Sequence, residues 1–172
     1  MHAVAVSAPG ETWQEWLNGL DAPRRATAES LRDRFEALGA AEAEEWAKSA
    51  VGEDLPQEAR FLLLRSLWRD AVDGWAEPGA LDQLPSARRL LAAGANRDDL
   101  VRVARAAAYE AVFVTLNELD AGADVNADGT DTGWTVMETG EDGSPTGRVL
   151  SGLDEDLLWL DPSGRDGADL WH

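Results

Sequence analysis

The sequence predicts a mainly α-helical (α+β) fold: a single-domain bundle of five to six helices with a small C-terminal β-hairpin and a short last helix. Three observations predict it. Apolar residues recur at three- and four-residue steps through most of the first 122 residues. Gly and Pro punctuate those runs at helix-length intervals. After Gly122 the composition turns to Asp, Gly, Asn and Thr. At 172 residues the chain fits one core, since single domains commonly hold roughly 100 to 200 residues. The expected organisation is therefore one domain, 1–172, with a helical body over 1–122 and an acidic annex over 123–172.

The first helix is expected within Glu11–Leu20, where Trp13, Trp16, Leu17 and Leu20 share one face and Glu11 and Glu15 lie near the positive end of the dipole. Asp21, Ala22 and Pro23 read as a break. A second helix, started at Thr27 or Ser30, is expected to run to about Ala50 with Leu31, Phe35, Leu38 and Trp46 near one stripe. Glu42 interrupts that stripe. The strongest amphipathic pattern follows Pro56, with Phe61, Leu64, Leu67, Trp68, Ala71, Val72 and Trp75 at helical steps.

Pro78 and Gly79 end that run, and Pro85 opens a short helix that Gly94 terminates in the left-handed conformation. Asn96 or Asp98 starts the next, which stops at Gly122. Between Ala106 and Asn117 that helix has Glu110 as its one charged residue, so it is expected in the middle of the bundle. Trp134–Glu138 alternates like a short strand, Gly140–Gly147 reads as a turn, and Arg148–Leu150 reads as the returning strand. Leu153–Leu160 is expected as the last short helix.

Composition sets the chemistry that is available. Without Cys there are no disulfides, thiol nucleophiles or thiolate metal sites. His2 and His172 are the two histidines, one near each end, which leaves a Ser-His-Asp relay or a histidine zinc site without a well-anchored central residue. There is no Walker-type phosphate loop and no Gly-rich dinucleotide fingerprint after a strand. No stretch of about 18 apolar residues suggests a membrane span, and the first ten residues lack the charged-then-apolar layout of a secretory signal. A cytoplasmic bacterial protein is expected. One Lys against fourteen Arg, with abundant Ala, Gly and Asp, fits a GC-rich coding bias.

Charge is the chain's most distinctive property. Of 33 acidic residues, fourteen lie between Glu118 and His172, a stretch whose bases are Arg148 and Arg165, so it carries −12 of the net −18. Direct nucleic-acid binding is not expected, because phosphate contact needs clustered Lys and Arg. A basic protein surface is the expected partner. Its binding face is assigned to Asp154, Glu155, Asp156, Trp159, Asp161, Arg165, Asp166, Asp169 and Trp171, where aromatic anchors stand among acids. The corresponding function is that of a non-enzymatic interaction protein, an acidic inhibitor or immunity-like protein.

Two other readings come from the same third of the chain. Asp124, Asn126, Asp128 and Gly129 spell D-V-N-A-D-G, which resembles the start of an EF-hand or dockerin calcium loop. That resemblance implies Ca2+ ligation by Asp124, Asn126 and Asp128. The twelfth position, an acid in such loops, is Thr135, and the eighth is Asp131. The second alternative is a carboxylate-dependent hydrolase built on the Asp154–Asp169 acids, which would need two carboxylates held at a working separation.

Overall fold

The computed structural model describes residues 11–124, 126, 130–165 and 167–171. Among these there are eight α-helices and one two-stranded antiparallel hairpin, so the chain is mainly α as its periodicity predicts. They group into two compact units, one formed by residues up to 60 with 137–149, the other by 61–136 with those from 150 onward.

In the first unit, α1 (Trp13–Asn18) starts with a capping box: Thr12 Oγ1 accepts from the Glu15 N–H at 3.3 Å, and Glu15 Oε2 accepts from the Thr12 N–H at 2.9 Å. Trp13 stacks on Trp16 at 5.2 Å, and Leu17 is buried. The Arg25 guanidinium donates to the carbonyls of Leu17 and Leu20, satisfying acceptors that the helix end leaves open.

Helix α2 (Ala22–Leu38) begins five residues before the expected Thr27. Asp21, read as a breaker, is its N-cap and accepts from the Arg24 N–H at 2.9 Å, with Pro23 in the first turn. The expected long helix to Ala50 is two helices. Gly39, at φ 82°, ends α2, and α3 (Ala43–Gly52) follows with Glu42 as its N-cap residue. The charge that spoiled a continuous stripe thus stands at a helix start. Phe35 and Trp46 stack at 5.7 Å across the pair and are both buried.

The hairpin of β1 (Met137–Thr139) and β2 (Pro145–Val149) completes this unit, with Met137 opposite Val149 and an irregular register toward Thr139 and Pro145. Its strands lie a few residues from the expected spans. Arg148 pins it by donating to the Leu55 carbonyl and pairing with Glu138 at 3.1 Å.

Helix α4 (Gln57–Leu67) carries the strong apolar pattern into the second unit. It widens into a π-helical turn at Trp68–Val72 and tightens to a 3-10 turn at Asp73–Ala76, so one continuous pattern spans three backbone geometries. Phe61, Leu64, Trp68 and Val72 are 0–3% exposed. They pack with Tyr109 and Leu116 of α6 (Arg97–Ala121) and with Leu153, Leu157 and Leu170 as the core of the unit. Between α4 and α6 lies α5 (Pro85–Ala92), followed by Gly94 at φ 92°. Asn96, one of the two starts the sequence offers, caps α6 by accepting from the Asp98 N–H at 2.8 Å, and Gly122 stops it at φ 72° as the sequence predicts.

At Gly133 and Trp134 the backbone lies against the C-terminal end of α6. The Trp134 N–H donates to the Gly122 carbonyl at 2.8 Å, and its indole N–H donates to the Glu118 carbonyl at 2.9 Å. Gly133 is required at this neck, because a Cβ there would lie 2.5 Å from the Gly122 oxygen. The chain then forms α7 (Leu153–Leu157) and α8 (Ala168–Trp171), the second of which the sequence pattern did not signal. Among the described residues no helix is long and apolar enough to cross a membrane.

Candidate functional site

The acids of the last third fall into different environments. Helix α7 packs Leu153 and Leu157 inward with no exposure, which turns Glu155 outward and leaves Asp154 and Asp156 half-buried. Asp120 of α6 caps it, its Oδ2 accepting from the Leu153 N–H at 2.7 Å. Asp154 Oδ2 accepts from Asn117 Nδ2 at 3.2 Å. Burial pushes the Asp120 carboxyl above the ordinary carboxylate range, and the neighbouring Asp154 carboxylate adds to the rise against the opposing Leu153 hydrogen bond.

Asp161 and Asp169 are structural. Asp161 is 6% exposed and organises the loop between α7 and α8. Its Oδ1 accepts from the Ser163 N–H at 2.8 Å, and its Oδ2 accepts from Ser163 Oγ and the Gly167 N–H, each at 2.7 Å. Burial raises its pKa, but these donors outweigh burial and hold the carboxyl below the ordinary range. Asp169 Oδ2 lies 2.6 Å from Arg105 Nη1 and 3.3 Å from Arg165 Nη2, while Arg105 Nη2 reaches Asp73 at 2.7 Å. Burial lowers the Arg105 pKa, and the paired carboxylates more than restore it.

The nine residues assigned to a partner-binding face therefore divide. Asp161 and Arg165 bond within the α7–α8 loop and Asp169 bonds to Arg105 of α6 and to Arg165, while Glu155, Trp159 and Trp171 face outward together with part of Asp154 and Asp156. Trp171 is 48% exposed, and its ring meets Tyr109 edge-on at 6.1 Å. Asp166 lies outside the described residues.

In the calcium-like segment, Asp124 Oδ1 accepts from both the Asn126 N–H at 2.7 Å and Asn126 Nδ2 at 3.2 Å. This is an Asx turn, in which two of the three expected ligands bond to each other. Asp124, Asn126, Asp131 and Thr132 border a shallow polar recess, while Asp128 and Gly129 lie outside the described residues. Among the described residues no group of three or more His, Asp or Glu side chains is placed to hold a metal ion.

The feature that sequence reasoning missed is on α6. Its low charge suggested a central helix, yet Tyr109 and Leu116 are its buried residues, while Val103 is 67% exposed and Val114 55%. The exposed side continues into an open apolar groove of about 340 Å³. Leu63, Leu67 and Ala71 form one wall, and Ala111, Val112 and Leu119 stand on the other. The signal was present as the mixture of Ala with Val at 103–114. Small side chains there fill less of a core than Leu or Phe would, and the Trp68–Ala76 turns, α7 and α8 pack against one side of the helix and leave the other open.

A second cavity, of about 500 Å³, lies in the first unit between Pro23, Leu31, Ala50 and Asp54. Arg24 and Arg148 at its border are engaged with the Val51 carbonyl and with Glu138. Compared with family models, curated proteins and solved structures, the chain matches none of them.

Proposed function

We propose that this chain is a non-enzymatic interaction protein of the bacterial cytoplasm that binds a basic protein surface, in the manner of an acidic inhibitor or immunity-like protein. The observation that carries this reading is the outward presentation of acid beside apolar side chains in the last third. Glu155 on α7 faces solvent, and Trp159 and Trp171 are 49% and 48% exposed in the same region. A −12 charge concentrated in that stretch gives a long-range field that accelerates encounter with a cationic partner. Exposed indoles supply the short-range apolar contact that charge alone lacks.

The test is capture from a low-salt bacterial lysate, identification of what binds, and reconstitution with the purified partner. The partner should be basic at the contact face, and association should slow roughly tenfold or more between about 0.05 and 0.3 M salt. Replacing Asp154, Glu155 and Asp156 together by Asn, Gln and Asn should reduce both the rate and its salt dependence. Salt-insensitive binding, or indifference to the triple replacement, overturns this reading.

A further inference from the structure

The outward side of α7 sets an acid one helical turn from two apolar side chains. Helical hydrogen bonding runs past Leu157, since Leu158 keeps the helical backbone and the Leu160 N–H donates to the Asp156 carbonyl at 3.2 Å. Glu155, Leu158 and Trp159 therefore stand at i, i+3 and i+4 on one side. At about 100° per residue, that side is opposite Leu153 and Leu157, which are fully buried. Burial agrees with this placement: Glu155, Leu158 and Trp159 are exposed, and Asp154 and Asp156 at the two edges are half-buried. The apolar part continues toward α8 across Gly167. A Cβ on Gly167 would lie 2.9 Å from Leu158 Cδ1 and 3.7 Å from Trp171 Nε1, so both side chains border the same piece of backbone.

The bases near this side are engaged elsewhere, which leaves it acidic. Arg165 is the one Lys or Arg in residues 149–172, and its guanidinium is held by Asp169 at 3.3 Å and Ser163 Oγ at 3.4 Å. On α6, which packs along α7, the side chains that bond to α7 are Asn117 and Asp120. Arg105 of the same helix is turned inward between Asp73 and Asp169. Trp68 reaches α7 from the turn after α4, where Arg69 is bridged to Asp70 at 2.6 Å.

We infer that the outward side of α7 is the seat for an arginine of the partner protein, with its guanidinium on the Trp159 indole and forked to the Glu155 carboxylate, and with Leu158 and Trp171 as the apolar surface beside it. The inference rests on the reading that the partner is basic, and adds which side chain makes the contact and where. A carboxylate and an indole one turn apart on a helix suit arginine over lysine. The planar guanidinium stacks on an aromatic face while its edge donates two parallel hydrogen bonds to a carboxylate, whereas an ammonium is a compact, strongly hydrated point charge. A second copy of this chain is a poorer source of that arginine, because each copy brings −18.

Fluorescent deca-arginine and deca-lysine, which carry the same charge, test it against the full chain by anisotropy at about 0.05 M salt. Deca-arginine is expected to bind about threefold tighter or more, and Trp159→Leu, checked for an intact fold by circular dichroism, should bring the two probes to within a factor of about 1.5. Glu155→Gln should weaken deca-arginine about fivefold. Combined with Trp159→Leu it should lose less than the product of the two single effects, as two groups that hold one guanidinium would. Glu141→Gln, which removes an exposed acid of the hairpin turn, should leave both probes unchanged. If the probes bind alike, or keep their difference in Trp159→Leu, the arginine seat is overturned while a basic partner stands. Equal losses for Glu155→Gln and Glu141→Gln would assign binding to overall charge and overturn the seat as well. If neither probe binds, the basic-partner reading falls. A dimer in sedimentation equilibrium that Glu155→Gln dissolves would give the seat to a second copy and overturn the inference.

Discussion

Trp68 donates its indole N–H to the carbonyl oxygen of Leu157 across 2.6 Å, in a buried contact between residues 89 positions apart. The indole body sits on Tyr109 at 5.7 Å and is 1% exposed, so one side chain joins α4's continuation, α6 and α7. Trp68→Phe keeps most of the apolar volume but leaves the Leu157 carbonyl without its donor. A buried acceptor without a partner costs about 1–3 kcal/mol, and the lost ring volume adds to that. Urea denaturation followed by far-UV circular dichroism should show a loss of roughly 2–4 kcal/mol. A loss below about 0.5 kcal/mol would mean that the contact does not hold α7 in place.

Arg105 is the second long-range tie, bridging Asp73 and Asp169 at 2.7 and 2.6 Å with a side chain 13% exposed. Removing it takes this partner from Asp73 and leaves Asp169, on a side chain 15% exposed, with Arg165 at 3.3 Å, and breaking a buried pair costs at most roughly 3–5 kcal/mol. Partial exposure of Asp73 reduces that to about 2–4 kcal/mol for Arg105→Ala. Arg105→Lys should recover only part of the loss, since an ammonium cannot fork between two partners as a guanidinium does. Thermal melts of both variants check the order, with α8 expected to loosen first by hydrogen exchange.

Asp120 and Asp161 should respond to pH in opposite senses. The folded pKa of Asp161 is depressed, so its stabilisation is present above the ordinary carboxylate value and is lost as pH falls through the folded one. Asp161→Asn should therefore lower the melting temperature near pH 7, with the difference shrinking under acid. The Asp120 carboxyl is raised by burial and by Asp154, so protonation favours the fold and ionisation opposes it. Asp120→Asn retains an acceptor for the Leu153 N–H and relieves the repulsion. It should be neutral to stabilising by about 1 kcal/mol at pH 7, the scale of one net hydrogen bond, and indistinguishable from the parent below about pH 4. A large destabilisation at pH 7 would contradict the assigned role of the pair.

The sequence by itself determined the features that neighbouring residues control. The helical periods at 11–20, 57–76 and 97–121, the glycine stops at Gly94 and Gly122, the Asn96 cap and the hairpin turn all depend on side chains a few positions apart. Even the errors were local: Asp-Ala-Pro at 21–23 is a helix start that was read as a break, and Glu42 marks the second half of a split helix. Only the tertiary structure decided which acids turn inward. Arg105 finds Asp73 and Asp169 from 32 and 64 residues away, and no periodicity encodes such a distance. It also decided that α6 keeps one apolar side open, because burial depends on how many neighbours pack against a helix and not on its own composition. The acidic last third is thus an internal ion-pair and loop framework in one part and a solvent-facing surface in the other.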